Sequence, residues 1–220
     1  MDVVIPMQLN SNFTLLYPVQ VDWEKFTAYR PDIPFSDEVI EFLNILSGGI
    51  LKDRNSRLYP DVITFAFFCR KANLQKLKGE YVHEELRLGR GVLFHIAPSN
   101  VPINFGYSLV AGLLSGNINI VRVSSKQFPQ VDLIIKHLHE ILKSELYDEV
   151  ASRIVLVRYD RTSDANAYFS SIANVRVIWG GDTTIATIRQ SALPARSFDV
   201  CFADRYSIAA INPTAIISAT

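Results

Sequence analysis

The sequence predicts an α/β fold: a doubly wound parallel sheet with an amino-terminal arm of helices and strands. Three observations predict it. From Arg87 onward, short apolar runs alternate with longer amphipathic ones. The apolar runs lack the in-out alternation of a half-exposed strand, so they read as strands buried on both faces. The segments between them are long enough for crossover helices, and right-handed crossovers place every strand's carboxyl end on one edge.

The elements follow in order. Residues 1–85 form the arm, with β-like runs at Val3–Ile5 and Phe13–Tyr17 among prolines 6, 18, 31 and 34. Ser36 caps a helix whose apolar positions are Val39, Ile40, Phe42, Leu43 and Ile45, and Gly48-Gly49 ends it. A second helix follows Pro60 and runs from Asp61 to Leu77, with Phe65, Phe68, Ala72 and Leu77 toward the core. Residues 86–220 form the sheet domain. Its strands are Gly91–Ala97, Asn119–Val123, Arg153–Val157, Val175–Trp179 and Val200–Phe202, with more strand at Ser207–Ile211. Its helices are Pro102–Leu114, Phe128–Leu146, Asp164–Ile172 and Asp182–Gln190.

Composition narrows the function classes. The 220 residues carry 22 basic and 22 acidic side chains, so net charge is zero, which argues against nucleic acid or an anionic membrane as main partner. The two cysteines, Cys69 and Cys201, make no disulfide framework and have no metal-ligand spacing. His137 and His139 lie two apart on a helix and point in different directions, so no metal site is expected. The start, MDVVIPMQLNSNF, lacks the basic and apolar regions of a signal peptide, and VITFAFF at 62–68 falls far short of the ~20 residues a membrane span needs. The cytoplasm is the expected location.

Chemistry concentrates at the strand ends. The turn Ala97-Pro98-Ser99-Asn100-Val101-Pro102 lacks the G-x-G-x-x-G phosphate fingerprint. Asn100 there either donates its side-chain amide to a developing oxyanion or caps the next helix. That helix carries Gly106, Ser108, Ala111, Gly112, Ser115 and Gly116, which allow close approach to a sheet or to a flat ligand. The second strand ends in Arg122-Val123-Ser124-Ser125-Lys126, with two cations and no carboxylate. At that position an acidic residue binds the 2′-hydroxyl of NAD and an Arg accommodates the 2′-phosphate of NADP. The run therefore either favours NADP(H) or is a solvated basic turn. Trp179-Gly180-Gly181-Asp182 opens a helix where bare glycine backbone admits a pyrophosphate, and Asp182 reads as an N-cap turned away. His95 reads as a satisfied core histidine, and Cys69 as a buried small hydrophobe. Nothing local in the sequence activates Cys201.

Taken together, GVLFHIAPSNVPINF (91–105), SGNINIVRVSSK (115–126), VIWGGDTTIATIR (177–189) and FADRYSIAAIN (202–212) resemble the aldehyde dehydrogenase superfamily. The match is to its long-chain acyl-CoA reductase branch, and RLYPDVITFAFFCRKANLQKL (57–77) looks like the same branch. The resemblance implies a Rossmann-like domain that binds NADP(H), and reduction of a fatty acyl thioester to an aldehyde through a thioester on an enzyme cysteine. It implies Asn100 as the oxyanion donor. It implies a cofactor-facing set of Pro98, Arg122, Ser124, Ser125, Gly180, Gly181 and Ile185. Asp182 departs from the family's usual serine. The family's nucleophilic cysteine lies in a separate catalytic domain downstream of the FADRYS-like strand. Cys201 does not match it, and the sequence stops at Thr220. The expectation is thus an amino-terminal, cofactor-binding portion, inactive alone and completed by a second chain or working as a homo-oligomer. The alternative is a truncated, inactive relative that serves as an oligomerisation or partner-binding module.

Overall fold

A computed structural model describes residues 13–81, 85–160, 163–205 and 208–210. Its centre is a six-stranded sheet of order β1-β4-β3-β2-β5-β6. The strands are β1 (Thr14–Tyr17), β2 (Val92–Ile96), β3 (Ile118–Arg122), β4 (Ile154–Arg158), β5 (Val175–Trp179) and β6 (Phe198–Phe202). β2 to β6 are parallel, and β1 adds antiparallel to β4. This is the doubly wound parallel sheet that the buried strand pattern predicts. The chain winds from β2 outward through β3 to β4, then crosses back to place β5 on the other side of β2. The order reverses between β2 and β5, and the crevice outside their carboxyl ends is where such sheets bind ligands.

The arm joins this sheet. Helix α1 (Trp23–Ala28), which the proline-rich pattern did not announce, is capped by Asp22, whose carboxylate accepts from the Lys25 amide at 3.1 Å. Helix α2 runs from Asp37 to Lys52. It passes through Gly48-Gly49 and does not stop there. A Cβ at Gly49 would lie 3.3 Å from the His137 ring, so this glycine makes room for a facing helix and leaves the helix unbroken. The expected single helix after Pro60 is two, α3 (Pro60–Phe68) and α4 (Lys71–Tyr81). The break is held by Asn73, whose side-chain amide donates to the Phe68 carbonyl at 2.8 Å. It turns Leu74 into the core and leaves Ala72 exposed.

Helices α5 (Asn104–Leu114) and α6 (Pro129–Ile141) cover one face of the sheet together with α2 and α3. The expected helix to Leu146 ends early, because a 3₁₀ turn at Glu145–Tyr147 buries Tyr147 against Phe42. After α7 (Asp148–Ala151), helices α8 (Ala165–Ile172) and α9 (Asp182–Arg189) cover the other face, over Phe94, Ile96, Ile120, Val157 and Ile178. Of the strand expected at Ser207–Ile211, Ile208–Ala210 have no regular structure and the two ends lie outside the described residues, as does Val3–Ile5. Among the described residues no helix is long and apolar enough to cross a membrane.

Candidate nucleotide crevice

The carboxyl ends of β2, β3 and β5 enclose a crevice of about 350 Å³ at the point where the strand order reverses. The turn after β2 supplies Pro98, Ser99 and Asn100, β3 supplies Arg122, α8 supplies Asn166, and Trp179, Gly180 and the first turns of α9 close the far wall. A larger cavity of about 610 Å³ opens near Leu86 and Leu88 at the amino ends of the strands. It is mostly apolar and lies on the sheet edge where α/β folds do not bind nucleotides.

Asn100 is exposed on the crevice lip. Helix α5 begins at Asn104 with Ile103 at its N-cap and no side-chain cap, so of the two readings for Asn100 the helix cap is excluded. Among the described residues its side-chain amide is left free to meet a ligand.

Arg122, the last residue of β3, is buried. Its guanidinium lies 4.9 Å from the centre of the Tyr159 ring, and Nη2 donates to the Tyr159 carbonyl at 3.3 Å. Among the described residues its Nε is buried with no hydrogen-bond partner. Tyr159 in turn donates its hydroxyl to Asn166 at 2.6 Å, and burial pushes its phenol pKa up, so it stays neutral. Arg122 is therefore a fixed cation at one end of the crevice with a spare donor. Ser124 is buried, and its hydroxyl accepts from the Lys126 amide at 3.1 Å; Ser125 and Lys126 are exposed. None of these three lines the crevice.

Gly180 faces Thr184, which a Cβ would meet at 3.0 Å. Gly181 is the N-cap of α9 with no side chain over the helix end, and a Cβ there would run into the Asp204 carboxylate. Among the described residues the first-turn amides of α9 thus have neither an intrahelical acceptor nor a capping side chain, an arrangement that favours an anion. Asp182 is the first helical residue and exposed, so the cap expected of it belongs to Gly181. Its carboxylate and that of Asp204 would repel an anion here. Ile185 is buried in the core beneath the sheet, one turn into the helix.

Sequence reasoning missed a buried polar chain beside the crevice. The Trp179 indole donates to Ser108 Oγ at 3.3 Å, Ser108 lies 2.8 Å from His95 Nδ1, and His95 Nε2 lies 3.0 Å from Asn119 Oδ1. Burial holds His95 down to about 4, partly opposed by its bond to Asn119, so the ring is neutral. Donation from Nε2 to Asn119 and from Ser108 to Nδ1 then satisfies every member. Gly112 makes this possible, since a Cβ there would collide with Asn119 and lie 3.0 Å from His95 Nε2. Gly112→Ala is expected to lower unfolding free energy by about 1–3 kcal/mol, read from the urea midpoint. A midpoint equal to wild type would show that the chain yields easily. Cys201 also has a neighbour that its sequence context hid: Arg189 Nη2 lies 3.4 Å from its sulfur. His137 and His139 do point apart, to Asp53 and to the Leu16 carbonyl.

With this geometry in place, comparison with known proteins gives the following. The family model for acyl-CoA reductase (LuxC) matches residues 68–220. No curated protein matches the chain. Among solved structures it is similar to glyceraldehyde-3-phosphate dehydrogenase GapN from Methanocaldococcus jannaschii complexed with NADP, with TM-score 0.55, 16% identity, 81% of this chain and 44% of that one. It is similar to lactaldehyde dehydrogenase from Escherichia coli, with TM-score 0.54, 14% identity, and 74% and 39% covered. It is similar also to PnpE from Pseudomonas sp. WBC-3, with TM-score 0.54, 15% identity, and 74% and 38% covered. The chain thus spans 38% to 44% of the length of these relatives, and the likeness is one of fold.

Proposed function

The chain belongs to the acyl-CoA reductase (LuxC) family, and from that premise we propose that it supplies the NADP(H)-binding part of an enzyme that reduces a fatty acyl thioester to an aldehyde through an enzyme-bound thioester. The observation that carries the cofactor choice is Arg122: a buried, immobilised guanidinium at the β3 end of the crevice, its Nε without a partner among the described residues. In a doubly wound sheet that end meets the adenosine ribose, and a cation there pairs with a 2′-phosphate. Gly180 and Gly181 keep side chains away from the α9 amides, which would hold the pyrophosphate. Bound in this way, the dinucleotide supplies the hydride for reduction.

Asn100 would donate its side-chain amide to the oxygen that gains charge as the acyl carbonyl is attacked. Neither cysteine lines the crevice. Cys69 is fully buried and burial pushes its thiol up, away from the reactive thiolate. The 220-residue chain should therefore bind nucleotide without turning over acyl-CoA.

Calorimetric titration tests the proposal. NADPH should bind at least about tenfold more tightly than NADH, the effect of one charge-assisted contact. Equal affinities, or no binding by a folded sample, would overturn it. A second reading, a partner-binding module without catalysis, is favoured by the exposed apolar side chains Phe198, Val200 and Phe202 on edge strand β6. Self-association together with absent nucleotide binding would favour that reading.

A further inference from the structure

The cavity of about 610 Å³ lies at the opposite edge of the sheet from the nucleotide crevice. Its walls come from three separate parts of the chain: Ile33 and Phe35 in the arm, Tyr81 at the end of α4, and Leu86 and Leu88 before β2. Ile33, Tyr81, Leu86 and Leu88 are all exposed. Large apolar side chains gathered around one concavity gain by being covered.

The polar groups beneath them are spent on one another. Asn117 Oδ1 accepts from the amides of Arg90 and Gly91, and its Nδ2 donates to Ser115 Oγ at 2.8 Å. The Gly89 amide donates to the Asp32 carbonyl at 3.0 Å, and the Phe35 amide to the Leu114 carbonyl at 2.7 Å. A sugar, a nucleobase or an extended peptide, each of which needs many hydrogen bonds, finds few here. An apolar chain needs none.

Charge sits on the rim. The lining carries three cations, Lys78, Arg87 and Arg90, against one carboxylate, Glu85, in a chain whose net charge is zero. Lys78 pairs with Asp37 at 3.0 Å and Arg87 with Glu85 at 2.9 Å, on exposed surface where such pairs are weak. Arg90 has no carboxylate partner among the described residues. Its Nη2 donates to the Arg196 carbonyl at 3.3 Å, and its guanidinium lies 5.6 Å from the centre of the Phe198 ring. That leaves it donors for an anion.

We propose that this cavity binds a single-chain anionic amphiphile, a long-chain carboxylate whose hydrocarbon fills the cavity and whose head group meets Arg90. An apolar concavity with a cationic rim matches both parts of such a molecule. The site lies at the far edge of the sheet from Asn100, and a carboxylate is not the thioester that undergoes reduction. The ligand is therefore retained here, away from the reacting centre, and binds whether or not a nucleotide is present.

Calorimetric titration of the 220-residue chain with octanoate, decanoate and dodecanoate, each kept below micelle formation, tests this. Affinity should rise about tenfold for every two methylenes added. Dodecanol, with the same chain and no charge, should bind about three- to tenfold more weakly than dodecanoate. Arg90→Gln should bring dodecanoate down to the level of dodecanol and leave dodecanol unchanged. Leu86→Ser and Leu88→Ser, at exposed positions outside the core, should each weaken both ligands about tenfold. Saturating NADPH should change none of these values. No binding by a folded sample, equal affinity for dodecanoate and dodecanol, or indifference to chain length or to both leucines would overturn the assignment. Displacement by NADPH would overturn it by placing the amphiphile in the nucleotide crevice. A wild-type dimer that Leu88→Ser converts to monomer, with no amphiphile bound, would overturn it by giving the cavity to a second copy of the chain. Failure of NADPH to bind while dodecanoate binds as expected would count against the nucleotide reading alone.

Discussion

Arg176→Met is expected to destabilise the protein by about 3–5 kcal/mol, measured by urea denaturation, a large share of the 5–15 kcal/mol typical of a domain. Arg176 is 1% exposed in the middle of β5. Its Nε donates to Asp199 at 2.8 Å, and its Nη1 donates to Ser170 at 2.9 Å and to the carbonyls of Ile188 and Ser191 at 3.0 and 2.9 Å. One guanidinium thus ties β5 to β6, to α8, and to the carbonyl-rich end of α9. Met fills the volume but leaves those acceptors buried and unpaired, and leaves Asp199 with only the half-exposed Arg189. The double variant Arg176→Met/Asp199→Val should recover part of the loss, since removing both partners spares the lone buried charge. A single variant as stable as wild type would refute the argument.

The same cluster sets an acid limit. Burial alone would raise the Asp199 pKa, but hydrogen bonds and charge from Arg176 and Arg189 outweigh it and hold the carboxyl below the usual carboxylate range. A depressed folded pKa stabilises the protein above the unfolded carboxylate value and loses that contribution as pH falls through the folded one. Wild-type stability should therefore drop on acidification below the ordinary Asp range, and the double variant should show a shallower drop.

Arg122→Leu is expected to cut NADPH affinity by about 10- to 100-fold, from the 1.5–3 kcal/mol of a charge-assisted contact, while NADH changes only a few-fold. Leu keeps apolar contact with Tyr159 and removes the charge. The ratio of the two losses is the informative quantity. A structural role for Arg122, which also bonds the Tyr159 carbonyl, would weaken both nucleotides equally. Arg122→Lys should retain part of the NADPH preference, because the charge stays while the stacked planar geometry is lost.

The sheet was legible because its signal is local. Val175–Trp179 was read to the residue, and the other parallel strands to within one or two, because β2 to β5 are buried along nearly their whole length and so are mostly apolar, with His95, Asn119 and Arg176 as buried polar exceptions. The doubly wound order followed from alternation and crossover handedness. The arm was read less well. Glycine and asparagine have the same letters whether they end a helix or make room for another, so Gly49 and Asn73 were decided by His137 and the Phe68 carbonyl across space.

The site divides the same way. By itself the sequence determined the sheet, the turn holding Asn100, the cationic end of β3 at Arg122 and the bare glycines before α9, since each rests on neighbours within a few residues. Only the tertiary structure decided that Asn100 is no helix cap, that Ser124 is spent on its own turn, and that Ile185 belongs to the core. It alone brought Arg189 to Cys201, Phe202 to Trp179, and Asp199 to Arg176. Those contacts join residues from 12 to 23 positions apart on different strands and helices. Which face and edge of a side chain is left free depends on what the fold packs against it, and local pattern carries no record of that.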